Sequence, residues 1–153
     1  MASREMPKAL KFGLGSSFMK LFTSVGAWLY RVSGGKLAGT MQGAPVLLLT
    51  TRGRKTGKAR TAPLIYREDG SDLVVVASKG GWPQHPLWYQ NLRAEPNVEV
   101  LHGARKRAMV ARTANPSERA RLWPRMVEVY KPYDDYQSWS DREIPIVILS
   151  DRS

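Results

Sequence analysis

Cysteine is absent from the chain, which excludes disulfides, thiolate nucleophiles and Cys-ligated zinc or iron–sulfur sites and suits a reducing compartment. Histidine is nearly as scarce. His85 and His102 are the whole complement, too few for a His-rich metal centre, and no metal site is expected. Acids are short as well: 13 face 24 lysines and arginines in 153 residues, for a formal charge of +11. So basic a chain points to an anionic partner, whether nucleic acid, anionic lipid or polyanionic small molecule, without choosing among them. Long apolar runs are missing too. Lys20 interrupts the N-terminal candidate, PVLLL and LVVVA fall short of the roughly 18 residues of a membrane span, and no small-residue cleavage site follows residues 18–30. The expectation is one compact domain in the cytoplasm, with peripheral contact at the inner face of an anionic membrane as a further expectation.

What is present begins with a basic amphipathic segment over residues 1–36. Phe18, Leu21, Phe22, Val25, Trp28, Leu29 and Val32 fall at the spacing of one helical face, better suited to packing on a core than to lying in a membrane interface. From Pro45 the period changes. PVLLLTT, ARTAPLIYR and DLVVVAS have strand patterns, with Glu68-Asp69-Gly70-Ser71 as the turn between the second and third. PLWYQNLRAEP is a short helix ended by Pro96, and VEVLH and RKRAMVART form a strand pair turning at Gly103. Asn115-Pro116-Ser117-Glu118 opens a helix with an N-cap, a first-turn proline and capping-box spacing, to run to about Tyr130 with a disturbance at Pro124. After an aromatic linker, IPIVIL closes the chain as a strand. Six strands in a meander with flanking helices predict an α+β domain on an antiparallel barrel over residues 37–153.

The densest feature is TTRGRKTGKAR, residues 50–60, with five basic residues and no acid. It is not a P-loop, because Gly57-Lys58 is followed by Ala59 and the chain continues as strand. A strand–loop–strand whose glycines admit close approach, while Arg52, Arg54, Lys55, Lys58 and Arg60 gather positive potential, suits a phosphate or a chain of carboxylates. A second anion-ready place is Ser78-Lys79-Gly80-Gly81. Three tyrosines at three-residue spacing, Tyr130, Tyr133 and Tyr136, lie in YKPYDDYQSW, a stretch too polar and proline-interrupted for a buried helix and suited to covering a cleft. Asp141 and Arg142 are expected to stabilise the last turn.

Together these segments resemble the deazaflavin-dependent nitroreductase family of actinobacteria: AWLYR, PVLLLTTRGRKTGKAR, APLIY, VVVASKGG, PLWYQNL, YKPYDDYQSWSDR and IPIV carry the likeness along nearly the whole chain. The resemblance implies a split β-barrel of the FMN-binding type. It implies hydride transfer from the reduced 8-hydroxy-5-deazaflavin coenzyme F420 to quinones, nitroaromatics, nitroimidazoles or other activated double bonds. It also implies membrane association through the N-terminal segment in some members. The coenzyme's phosphodiester and oligoglutamate tail would fall to Arg54, Lys55, Thr56, Arg60 and Lys79, and its ring to Ala62, Pro63, Leu64, Val76, Ala77 and Ser78. The acceptor would lie among Tyr66, Ser78, Trp88, Tyr130, Tyr133 and Tyr136. Tyr133, with Ser78 and Tyr130 as helpers, would be the hydrogen-bond or proton donor, since a phenol titrating near 10 is protonated at neutral pH. The chain departs from the family pattern before PLWY: where an Asn usually precedes the proline, here stands His85, expected as a helix-start or surface residue. Two other functions fit the composition: a deazaflavin or FMN carrier without turnover, and a nucleic-acid module using RGRK, HGARKR and RARLWPR as phosphate contacts.

Overall fold

The computed structural model describes Tyr30, Arg31, Ser33, Thr40, Met41 and residues 43–152; the remainder of the basic segment expected over residues 1–36 lies outside the described residues. The elements are β1 (Thr40–Met41), β2 (Ala44–Arg52), β3 (Ala59–Ile65), β4 (Arg67–Asp69), β5 (Asp72–Val76), a 3-10 turn (Lys79–Gly81), α1 (Leu87–Ala94), β6 (Asn97–His102), β7 (Arg105–Thr113), α2 (Pro116–Val129), α3 (Pro132–Trp139) and β8 (Ile146–Asp151).

ARTAPLIYR divides at Tyr66 into β3 and β4, and the two-residue β1 adds to the count, so eight strands are described where six were expected. They are not a meander either. The sheet runs β1-β2-β6-β7-β8-β5-β4, with β3 on β2. The closing strand β8 is inserted between β7 and β5, pairing Leu149 with Ala111 on one side and Val147 with Val75 on the other. Its composition explains the place: Ile146, Val147, Ile148 and Leu149 are all at most 1% exposed, apolar on both faces as a central strand must be. β3 and β5 approach one another, yet no ladder joins them among the described residues. The antiparallel barrel is therefore split along the β3–β5 seam.

Strand alternation sorts side chains into two cores. Leu47, Leu49, Leu73, Val75, Ala77, Val147 and Leu149 fill the barrel interior; Val74, Val76, Ile146 and Ile148 on the opposite face pack under Leu122, Met126 and Tyr133 of the helices. β2 is buried on both faces, with Val46, Leu47, Leu48 and Leu49 all at most 3% exposed, so slipping it by one residue would exchange the side chains of the two faces and force both to repack.

α2 begins as expected: the Asn115 side chain accepts from the Glu118 N–H and Glu118 reaches back to the Asn115 N–H. The helix continues through Pro124 to Val129. The segment expected as a linker is also a helix, α3. Pro132 stands in its first turn, where a missing N–H costs nothing, so the proline starts the helix and does not interrupt it. Asp134 and Asp135 in the same turn suit the positive end of the dipole.

Candidate active site

The basic hairpin joins β2 to β3. Its turn is closed by the Gly53 N–H on the Lys58 carbonyl at 2.8 Å and the Gly57 N–H on the Gly53 carbonyl at 2.7 Å, with Gly57 at φ 70°. A Cβ at Gly53 would meet Thr56 Oγ1 at 2.8 Å. Lys55, Thr56, Lys58 and Arg60 are exposed. Arg54 is tied back to α1: its side chain donates to Gln90 Oε1 at 2.8 Å and its backbone N–H to Asn91 Oδ1 at 3.2 Å. Asn91, 7% exposed, donates in turn to Thr51.

Register decides which way β3 points. Thr51 faces Arg60, Leu49 faces Ala62 and Leu47 faces Leu64, so Arg60, Ala62 and Leu64 share the interior face of Leu47 and Leu49. The Gly53–Lys58 bond and that from the Tyr66 N–H to the Pro45 carbonyl at 3.1 Å fix the alternation between them: positions 60, 62 and 64 bond β2, and positions 61, 63 and 65 turn their backbone groups to the seam. Pro63 falls where no N–H is required. The seam edge of β3 thus offers the carbonyls of Thr61, Pro63 and Ile65 and the N–H groups of Thr61 and Ile65.

Across the seam, β5 runs into the turn at residues 78–81. Ser78 is right-handed (φ −79°, ψ −41°), Lys79 has φ 46° and Gly80 has φ 62° and ψ 21°; this succession turns neighbouring N–H groups toward one side, a concave arrangement that suits anions. A positive φ at a lysine is uncommon. Lys79 Nζ lies 5.9 Å above the Trp82 ring. Gly81 permits α3 to sit directly on the turn, since a Cβ there would lie 2.7 Å from the Tyr136 carbonyl oxygen.

The tyrosines stand on the outer side of the seam. Tyr130 meets Tyr133 edge-on at 4.9 Å between centroids and lies 6.0 Å from Tyr136; Tyr130 also packs against Ala44, Val46 and Ile65. The Tyr130 and Tyr136 hydroxyls are 2.9 Å apart. Burial holds the Tyr136 phenol well above its usual range, helped by the Tyr130 hydrogen bond, and burial does the same to Tyr133. Both are neutral donors at physiological pH. Tyr133 is 4% exposed, against Val76, Met126 and Ile144. Tyr66 and Trp88 pack instead on the interior core, where their rings meet His102 and Tyr89. The residues expected to line one acceptor pocket therefore divide between the two faces of the seam.

Arg142 does more than finish a turn. Its Nε donates to the Trp82 carbonyl at 2.9 Å, Nη1 to the Ala77 carbonyl at 3.1 Å and Nη2 to the Ser78 carbonyl at 2.7 Å, while Nη1 lies 3.2 Å from His85 Nδ1. Sequence reasoning missed this because these partners lie 57 to 65 positions away. Gln90 donates to the His85 carbonyl at 3.1 Å, so a continuous chain of hydrogen bonds links the hairpin through α1 to the turn.

Two open clefts flank β2. One of about 580 Å³ lies between the hairpin base and the start of β6, with Arg52, Arg54 and Arg152 opposed by Glu95 and Glu99. The other, of about 410 Å³, is lined by Leu48, Thr61, Leu101 and Lys106 beside Arg31. Neither contains the tyrosines. The seam is preferred as the site because it combines unladdered backbone groups, turn N–H groups and neutral phenols, whereas the larger cleft mixes both signs of charge.

The profile of the F420H(2)-dependent quinone reductase family matches residues 23–151. The chain belongs to this family. A Mycobacterium tuberculosis protein named F420H(2)-dependent quinone reductase is 41% identical over 128 residues, covering 81% of this chain and 86% of its own. A solved F420-H2 dependent reductase, FDR-A, is 43% identical, with a TM-score of 0.65 over 69% of this chain and 94% of that one. Another solved relative, described as a domain-swapped dimer, is 34% identical with a TM-score of 0.68, over 88% of this chain and 98% of that one. The split β-barrel and the F420-dependent reductase class foreseen from the sequence are thus borne out. The family description specifies quinones; nitroaromatic acceptors and membrane association stand outside it.

Proposed function

We propose that the chain reduces quinones with reduced coenzyme F420 bound along the β3–β5 seam, its anionic tail held by the basic hairpin, and that nitroaromatics and nitroimidazoles are accepted as flat molecules of similar shape. The observation that carries this reading is the seam: the unladdered edge of β3 at residues 61–65 lies beside β5, which runs into the turn at residues 78–81, with the cations of the hairpin at one end and the paired Tyr130 and Tyr136 hydroxyls on the outer side. The donor set fits a long ligand with a flat polar head and several negative charges. Arg60 and Lys55, with Thr56 and Lys79, would supply charge-assisted bonds to the tail, and Arg54, fixed by Gln90 and Asn91, would frame the hairpin. Ala62, Pro63, Leu64, Val76 and Ala77 would form the walls of the ring site.

When bound, the coenzyme supplies the hydride, and the protein's contribution is to place its reactive carbon and polarise the acceptor. Tyr130 and Tyr136 are the hydroxyl pair best placed to polarise it. One phenol donates to the other, and the accepting phenol keeps its own proton for a quinone oxygen. Tyr133, expected from the resemblance as the donor, is packed into the outer core and acts here as the wall that orients the pair. Ser78 contributes its place in the turn.

Reoxidation of the reduced coenzyme by menadione, with reduced FMN and NADPH as competing donors, tests the proposal. Protein-dependent turnover with F420 alone supports it; equal turnover with FMN, or coenzyme binding without turnover, overturns it. Peripheral contact with an anionic membrane through residues 1–36 is a separate proposal, supported by their basic and apolar pattern. Equal vesicle binding before and after trimming the first thirty residues would end it.

A further inference from the structure

Arg142 is a partly buried cation whose bonds go to three backbone carbonyls and one imidazole nitrogen. Desolvation lowers its pKa, with Tyr89 opposing, but a guanidinium remains charged. Four of its five N–H groups are engaged by these bonds, and the planar fork spans two successive peptide units, those following Ala77 and Ser78. In a trans peptide the N–H points away from the carbonyl. With both carbonyls drawn to the guanidinium, the N–H groups of Ser78 and Lys79 are turned to the opposite side.

We propose that Arg142 is the positioning residue for this turn, holding it with its N–H groups toward the seam, and that His85 completes the hold only as a neutral acceptor. The functional consequence rests on the coenzyme reading given above; the hold itself does not.

The surroundings of His85 define when that acceptor exists. Arg142 lies 3.2 Å from Nδ1, the Tyr89 ring is 4.8 Å away, and the Arg93 guanidinium lies 5.6 Å from the Tyr89 ring centre. Burial is the main cause that lowers the His85 pKa from 6.5, followed by Arg142 and then Arg93. The charged groups acting on it are both cations. Protonation removes the Nδ1 lone pair and places an imidazolium against a guanidinium. Because the pKa in the folded state is depressed, the hold is intact above 6.5 and is lost as pH falls from there through the depressed value. An Asn amide oxygen would accept at every pH, so the sensitivity belongs to the imidazole.

Amide exchange on the coenzyme-free protein tests the hold directly. The N–H groups of Gly81 and Trp82 bond the Ser78 and Lys79 carbonyls at 3.0 and 3.2 Å, so they report whether the turn is closed. In the wild type their protection, corrected for intrinsic exchange, should fall by up to about tenfold per pH unit from 6.5 down to the depressed His85 pKa and level off below it. In His85→Asn it should stay flat. Equal pH dependence in the two proteins overturns the proposal. A second arm measures F420 affinity by fluorescence at pH 8: Arg142→Lys keeps the charge but loses the fork, and should bind about tenfold or more weakly while Asn115-capped α2 and the barrel keep wild-type protection. Unchanged affinity in that variant overturns the positioning role. If the wild type itself shows the exchange pattern but binds no F420, the coenzyme reading fails and the hold stands.

Discussion

The hydroxyl oxygens of Tyr130 and Tyr136 lie 2.9 Å apart across the end of α2 and the middle of α3. Tyr130 reaches the outer face of β2 and β3, while the backbone of Tyr136 rests on Gly81. One hydrogen bond therefore spans both sides of the seam and joins two phenol hydroxyls beside the proposed acceptor site.

Removing either hydroxyl should cost turnover more than affinity. Tyr130→Phe or Tyr136→Phe should lower kcat by roughly tenfold to a hundredfold, at or below the lower end of what a positioned proton donor contributes, with coenzyme Kd unchanged. The double variant should be no worse than the poorer single one, because the pair acts as a unit. Tyr133→Phe should change kcat less than about threefold, since its ring packs the outer core; steady-state kinetics on the four variants separates these roles.

Lys55→Ala with Arg60→Ala should weaken F420 binding by about tenfold to a hundredfold, as expected for two charge-assisted bonds. The variant should also lose much of the salt dependence of Kd. Both follow from fluorescence titrations at two ionic strengths.

At Gly81, φ is 81° and an added Cβ would meet Tyr136 backbone at 2.7 Å. Gly81→Ala should push α3 off the turn, cost about 1–3 kcal/mol in urea unfolding, and lower kcat as the tyrosine pair separates from the seam.

Glu118 is one source of the acid limb of stability, alongside Asp69 and Asp151, whose carboxyls the Arg121 and Arg107 hydrogen bonds also hold below their ordinary range. Arg112, 2.7 Å away, and then the Asn115 N–H hold the Glu118 carboxyl down at about 2, from an ordinary 4.5. A depressed carboxylate stabilises above 4.5 and loses that contribution as pH falls toward 2. Glu118→Gln should lessen the fall of the urea midpoint between these limits, leaving the part that Asp69 and Asp151 contribute, while Asn115→Ala should cost about 1 kcal/mol at neutral pH.

The parts foreseen in the sequence are those written locally. The β2–β3 hairpin, the Gly103 turn and the Asn115 capping box each need only neighbouring residues. The insertion of β8 between β7 and β5 could not be found that way, because Val147 and Val75 are brought together by burial on two faces and not by a turn. Polar composition misled at α3: Pro132 and Asp134 suit a helix start, and Trp123 Nε1 donates to Asp134 at 2.8 Å. The coenzyme residues were placed by resemblance, and register then showed which of them share a face. Arg142 and His85 carried no sequence signal for their contact, since a guanidinium caging carbonyls leaves no spacing to recognise.

The most direct measurement is a single-turnover mix of the protein and reduced F420 with menadione, following reoxidation of the coenzyme. Saturable, protein-dependent oxidation that slows in Tyr130→Phe at unchanged coenzyme Kd is the predicted result. Oxidation no faster than in buffer, or equally fast in Tyr130→Phe and wild type, would contradict the assignment of the seam as the place where hydride meets acceptor.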